Sequence, residues 1–151
     1  MPVDKSEARI QQMFGAIADR YDFLNHFLSL GIDRYWRWRT VRRVAPNGSG
    51  PILDLCTGTG DLALAYAERA GAETRVVGAD FCHPMLVIAQ RKGHRAVEKS
   101  SAIEATGLSF VEADVQHLPF PDDLFQIVSV AFGLRNVTDS DQGLREMARV
   151  C

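Results

Sequence analysis

The sequence predicts an α/β chain built on a parallel sheet. Three observations lead there. From Pro51 onward, short apolar runs alternate with helical patterns, which implies strand–helix–strand crossovers. A glycine-rich turn follows the first of those runs directly. The length of 151 residues, with 46% hydrophobic and 24% charged residues, suits one soluble domain. No stretch approaches the ~18 consecutive apolar residues of a membrane span. Met1 to Arg9 is polar and of mixed charge, so no signal peptide is expected. Cys56, Cys82 and Cys151 are odd in number and widely spaced, which fits a reducing cytoplasm better than a disulfide framework. A net charge of −2 argues against wholesale nucleic-acid binding and allows a local basic patch.

Residues 1–46 read as helical. Asp4 with Glu7 resembles a helix cap with its reciprocal partner, and Ile10, Met13, Phe14, Ile17, Tyr21, Leu24 and Leu28 recur at helical spacing. Gly31 is a stop, and Asp33 is expected to cap a second helix that ends before Pro46. In that helix Tyr35, Trp38 and Val41 share a face, and Trp36 falls opposite with Arg39 and Arg43. Segment 33–45 carries five arginines and one aspartate, a net charge of +4. Such a face can rest on an anionic lipid surface, peripheral to the membrane.

Residues 47–151 change period. Ile52 to Leu55 is the first strand and Leu62 to Ala70 a helix. Arg75 to Ala79 is the second strand, closed by Asp80, and a helix begins at Met85. Leu108 to Val111 is the third strand, Phe125 to Phe132 the fourth, and Ser140 to Val150 a closing helix. Parallel sheets bind ligands beyond the carboxyl ends of their strands, so the residues that follow each strand are the candidates.

After the first strand, Asp54 leads into Gly58, Thr59, Gly60 and Asp61. Gly58 to Ala63 fits G-x-G-x-x-A, and Asp80 lies 21 positions after Thr59, where an acid would hold a ribose hydroxyl. Spacing alone fits both a nicotinamide cofactor and S-adenosylmethionine. Asp61 would repel a pyrophosphate at the helix N-terminus, whereas acids suit a sulfonium and an ammonium. After the third strand, Asp114 and Val115 pair a carboxylate with a backbone N–H, as adenine recognition requires. Leu118-Pro119-Phe120-Pro121 then reads as a rigid loop. The histidines make no metal-like spacing.

These segments, with Phe132-Gly133-Leu134-Arg135-Asn136-Val137 and Asp19-Arg20-Tyr21-Asp22, resemble the UbiE/MenG family over essentially the whole chain. That family comprises class I S-adenosylmethionine-dependent C-methyltransferases of menaquinone and ubiquinone biosynthesis. The resemblance implies a Rossmann-like sheet with an N-terminal helical lid over 1–46 and a cofactor domain over 47–151. Only the first four of seven strands would be present, so the chain is expected to be C-terminally truncated. It places Asp54, Gly58, Thr59, Gly60, Asp80, Asp114 and Val115 at the cofactor. Cys56 stands where many methyltransferases have glycine, and Gln126 where aspartate is usual.

The implied reaction methylates a ring carbon of a polyprenyl quinol. Arg135 would stabilise the developing phenolate as a fixed cation, since a guanidinium stays protonated. Asn136 would orient the hydroxyl, and Tyr21 would close over the substrate. No metal is implied, and an oligomer is allowed. The alternatives are a nicotinamide-dependent oxidoreductase and a non-catalytic cofactor-binding domain.

Overall fold

The computed structural model describes residues 32–47, 50–71, 73–101, 103 and 107–151. The expected helix through Leu28, with Tyr21 and Asp22, lies outside the described residues. Helix α1 spans Ile32–Arg43, followed by β1 (Ile52–Leu55), α2 (Asp61–Arg69), β2 (Val76–Asp80) and α3 (His83–Val97). Then come β3 (Ser109–Glu112), β4 (Ile127–Val130), a 3-10 turn over Gly133–Asn136 and α4 (Ser140–Val150). The strands form one parallel sheet in the order β3-β2-β1-β4.

Both faces of the central strands are covered, which explains the continuous apolar run at β1. Ile52, Val76 and Ile127 pack on one side with Leu62, Ala63 and Tyr66 of α2. Leu53, Leu55 and Ala79 pack on the other with Val115, Phe125 and Val150. Truncating a fully buried leucine such as Leu53 costs about 2–5 kcal/mol. Register aligns Leu55 with Ala79 and Val130, and Ala79 with Val111, so the four strand ends share one edge.

Two sequence expectations shift. Asp33 sits inside the first turn of α1 and pairs with Arg37 at 2.8 Å, instead of capping the helix. The fourth strand is shorter at both ends than expected. Before it, the N–H groups of Leu124 and Phe125 donate to the carbonyl of Val150, at 3.0 and 2.9 Å. These residues satisfy the C-terminal end of α4 before the sheet begins. Gln126 keeps the strand start tied: its Oε1 accepts from the Asn47 N–H at 3.2 Å, and its Nε2 donates to the Gly50 carbonyl.

Candidate functional site

The turn after β1 has three residues in left-handed backbone: Cys56 (φ +50°), Gly58 (φ +57°) and Gly60 (φ +83°). This explains why glycine suits the Cys56 position, since a side chain there costs roughly 1–2 kcal/mol. Asp54 lies behind the turn and is only 1% exposed. The Thr57 and Ser129 hydroxyls donate to its two oxygens at 2.6 and 3.0 Å. Burial pushes its pKa up to about 6, against those hydrogen bonds, with Asp80 adding repulsion. Asp54 therefore braces the turn from inside; both of its oxygens are already engaged.

Asp80, at the end of β2, crosses to the turn. Its Oδ2 accepts the Gly58 N–H at 2.8 Å and its Oδ1 the Cys82 N–H at 2.9 Å. Burial raises its pKa, opposed by these backbone N–H donors. Each oxygen retains acceptor capacity for a further donor. The two glycines differ in what they face. Nothing lies within 4 Å of a Cβ built on Gly58, whereas one on Gly60 would lie 2.8 Å from the Phe110 ring. The same ring lies 2.6 Å from a Cβ built on Gly78 in β2 and 3.1 Å from one on Gly93 in α3. Gly58 thus faces open space, and Gly60 packs. A ring reaching across from β3 carries no local sequence signal.

Asp61, in the first turn of α2, is not the bare charge its position suggests. Lys92 Nζ pairs with Asp61 and also donates to the Thr59 hydroxyl at 3.2 Å, and Arg37 lies 3.5 Å from Asp61. Its expected repulsion of a pyrophosphate is largely neutralised. The Thr59 hydroxyl is buried and turned toward Lys92.

After β3, Asp114 is half-exposed and Val115 is buried. Burial works to raise the Asp114 pKa, but hydrogen bonds from Gln116 and His117 hold it below its usual value. The proline loop beyond is fastened by α4. Arg149 donates to the carbonyls of Leu118 and Phe120, at 3.0 and 2.8 Å, and pairs with Asp122 at 2.7 Å. Glu146 accepts the Leu118 N–H at 2.8 Å and pairs with Arg149. Sequence reasoning missed Glu146, Arg149 and Lys92, because their loop partners lie far along the chain, and Gln116, whose role depends on Asp139 as well as on nearby Asp114.

After β4, the 3-10 turn presses on the glycine turn: a Cβ on Gly133 would lie 2.1 Å from the Cys56 Cβ. This places Arg135 and Asn136 beside the turn. Arg135 is exposed, with its guanidinium 6.0 Å over the Phe132 ring. The Cys56 thiol is pushed up to about 12 by burial and by Asp80, Asp54 and Asp114, so it stays protonated and offers no nucleophile.

The open side of Gly58, the Asp80 carboxylate beside it and Asp114 on the neighbouring strand end fit an adenosine-bearing, positively charged cofactor. Comparisons with known proteins give the family and the fold. A sequence profile of the ubiE/COQ5 methyltransferase family matches residues 2–151. The chain is 52% identical over 141 residues to a demethylmenaquinone methyltransferase of Thermus thermophilus, covering 91% of this chain and 59% of that protein. It is 42% identical over 142 residues to a ubiquinone/menaquinone biosynthesis C-methyltransferase UbiE of Citrifermentans bemidjiense, covering 94% and 58%. The chain thus spans a little under three-fifths of the length of these relatives. A SAM-dependent methyltransferase from Aquifex aeolicus superposes with a TM-score of 0.64 at 17% identity, covering 76% of this chain and 57% of that one, a likeness of fold. The fold is the Rossmann-like class I methyltransferase sheet, and the chain belongs to the ubiE/COQ5 methyltransferase family.

Proposed function

We propose that the protein binds S-adenosylmethionine at the shared strand edge and serves C-methylation of a polyprenyl quinol. One observation carries this reading: Asp80 bridges from β2 to Gly58, whose Cα faces open space, with Asp114 one strand over. The cofactor supplies an electrophilic methyl group. Asp80 accepts from its ribose hydroxyls, and Asp114 accepts from the exocyclic amine while the Val115 N–H donates to the ring. Gly58 and Gly60 shape the turn, and Thr59 contributes through its backbone. The buried charge of Asp54 acts through its field on the sulfonium and ammonium. The relatives' names, one for demethylmenaquinone and one for ubiquinone and menaquinone biosynthesis, support the substrate class. A nicotinamide cofactor finds no such support.

The quinol hydroxyl gives its proton to solvent water, and Arg135 stabilises the phenolate that remains. The neighbouring carbon is then nucleophilic, takes the methyl as its bond to sulfur breaks and S-adenosylhomocysteine is left, and gives its own proton to water. Asn136 orients that hydroxyl; Tyr21, which the family resemblance assigns to the substrate, lies outside the described residues. The test is transfer of a labelled methyl to demethylmenaquinol. Arg135→Ala is expected to lower turnover by at least about tenfold while cofactor affinity holds. Wild-type turnover in that variant would remove Arg135 from the mechanism.

The substrate's hydrophobic tail gives α1 a role at an anionic membrane surface. Among the described residues, no helix is long and apolar enough to cross a membrane. Tyr35, Trp38, Arg39, Arg42 and Arg43 line an exposed groove, with Arg42 4.5 Å over the Trp38 ring. Flotation with anionic liposomes, and its loss when the five arginines become glutamine, is the expected result. Equal flotation of both proteins would contradict this role.

A further inference from the structure

Gln116 is a buried polar residue, only 8% exposed and two positions beyond Asp114. Its backbone N–H donates to Asp114 Oδ1 at 2.9 Å. Its side-chain Nε2 reaches both carboxylate oxygens, at 3.2 and 3.3 Å. On the other side, its Oε1 accepts the Asp139 backbone N–H at 2.9 Å. Its own carbonyl accepts from Gln142 Nε2 at 3.2 Å. Asp139 in turn caps α4 by accepting the Gln142 N–H at 2.9 Å.

The orientation of the amide is thus decided from both ends. A backbone N–H demands the oxygen, and a carboxylate demands the NH2. Leucine would fill similar volume yet leave the Asp139 N–H without this acceptor and let the Asp114 carboxylate turn. A carboxylate has about four acceptor sites; Gln116 occupies those on one side, and the exposed His117 ring lies 3.4 Å from Oδ2, a longer contact that restrains the plane less. The Asp114 side chain is 37% exposed, so acceptor capacity remains on its outer side.

We infer that Gln116 is a positioning residue for base recognition: it fixes the plane of the Asp114 carboxylate so that its free acceptor side meets an exocyclic amine, which makes the site select adenine over a purine with a carbonyl there. This rests on the assignment of Asp114 to the adenine in the proposed function. A carbonyl at that position sets lone pairs against a carboxylate that cannot turn away. A site built to hydrogen-bond one group rejects the analogue that lacks it.

The test is calorimetry on the full chain with S-adenosylhomocysteine and S-inosylhomocysteine, which differ only in replacement of the amine by a carbonyl. Wild type is expected to prefer the adenine ligand by at least about tenfold. In Gln116→Leu that preference should fall toward unity, through lost affinity for the adenine ligand and little change for the inosine ligand. If both affinities fall by the same factor, Gln116 only supports the fold and the inference is overturned. A wild type that binds the adenine ligand without preference removes Asp114 from base reading, and the inference with it. A wild type that binds neither ligand overturns the cofactor assignment as well. If Gln116→Leu does not fold, Gln116→Met replaces it: it keeps the length of the side chain and likewise removes the NH2 donor to Asp114, and the same loss of preference is expected.

Discussion

The loop after β1 and the loop after β3 face the same edge but are held by different physics. The first is short; its own backbone conformation shapes it, and the buried acids Asp54 and Asp80 brace it. Three left-handed residues set its path, and the Thr57 N–H donates to the Ala79 carbonyl at 3.0 Å. Its acids are buried, so Asp54 is pushed up to about 6. The second loop is held from a distance by side chains of α4, with Arg149 gripping two carbonyls and an acid. There the Arg149 hydrogen bonds draw Glu146 down to about 2, against a smaller opposing effect of burial. Ligand-facing geometry is thus made in one place by backbone conformation and in the other by long-range anchors.

The largest effect should come from breaking the first loop. Gly60→Ala combines left-handed strain of roughly 1–2 kcal/mol with overpacking against Phe110 of about 1–3 kcal/mol. A loss of about 3 kcal/mol is expected in denaturant unfolding, with partial recovery when Phe110→Leu is added. No recovery would mean that Phe110 is not what Gly60 makes room for.

A smaller effect separates the loops by the sign of their pH dependence. The folded-state pKa of Asp54 lies above its ordinary 3.8, so its contribution is full below that value and is lost as pH rises toward about 6. The folded-state pKa of Glu146 lies below its ordinary 4.5, so its contribution is present above that value and is lost as pH falls toward about 2. In stability measured against pH, Asp54→Asn should flatten the fall in the upper window and Glu146→Gln the rise in the lower one. Identical profiles for the two variants would erase the distinction.

The same contrast explains how much could be read in advance. The strand–helix alternation, the glycine turn and the Asp80 spacing are local patterns, so they were legible, and α4 spans the residues expected of it. Asp54 was legible as an acid at the turn, but its burial depends on Ser129 of β4, 75 residues away. Asp61 looked like a repulsive charge because Lys92, 31 residues on, does not show in the spacing. The proline loop was legible as rigid, yet its rigidity comes from Glu146 and Arg149 as well as from its prolines. Gln126 stands where aspartate is usual in the family, and its longer amide reaches both Asn47 and Gly50.

The central claim is that the shared strand edge is an S-adenosylmethionine site organised by Asp80. Calorimetric titration of the wild type and of Asp80→Ala with S-adenosylmethionine, and with NADH as comparison, tests it most directly. S-adenosylmethionine is expected to bind and NADH not to, with an affinity for S-adenosylmethionine at least tenfold weaker in Asp80→Ala, about 1.4 kcal/mol. Binding of NADH alone, or an unchanged affinity in Asp80→Ala, would contradict it.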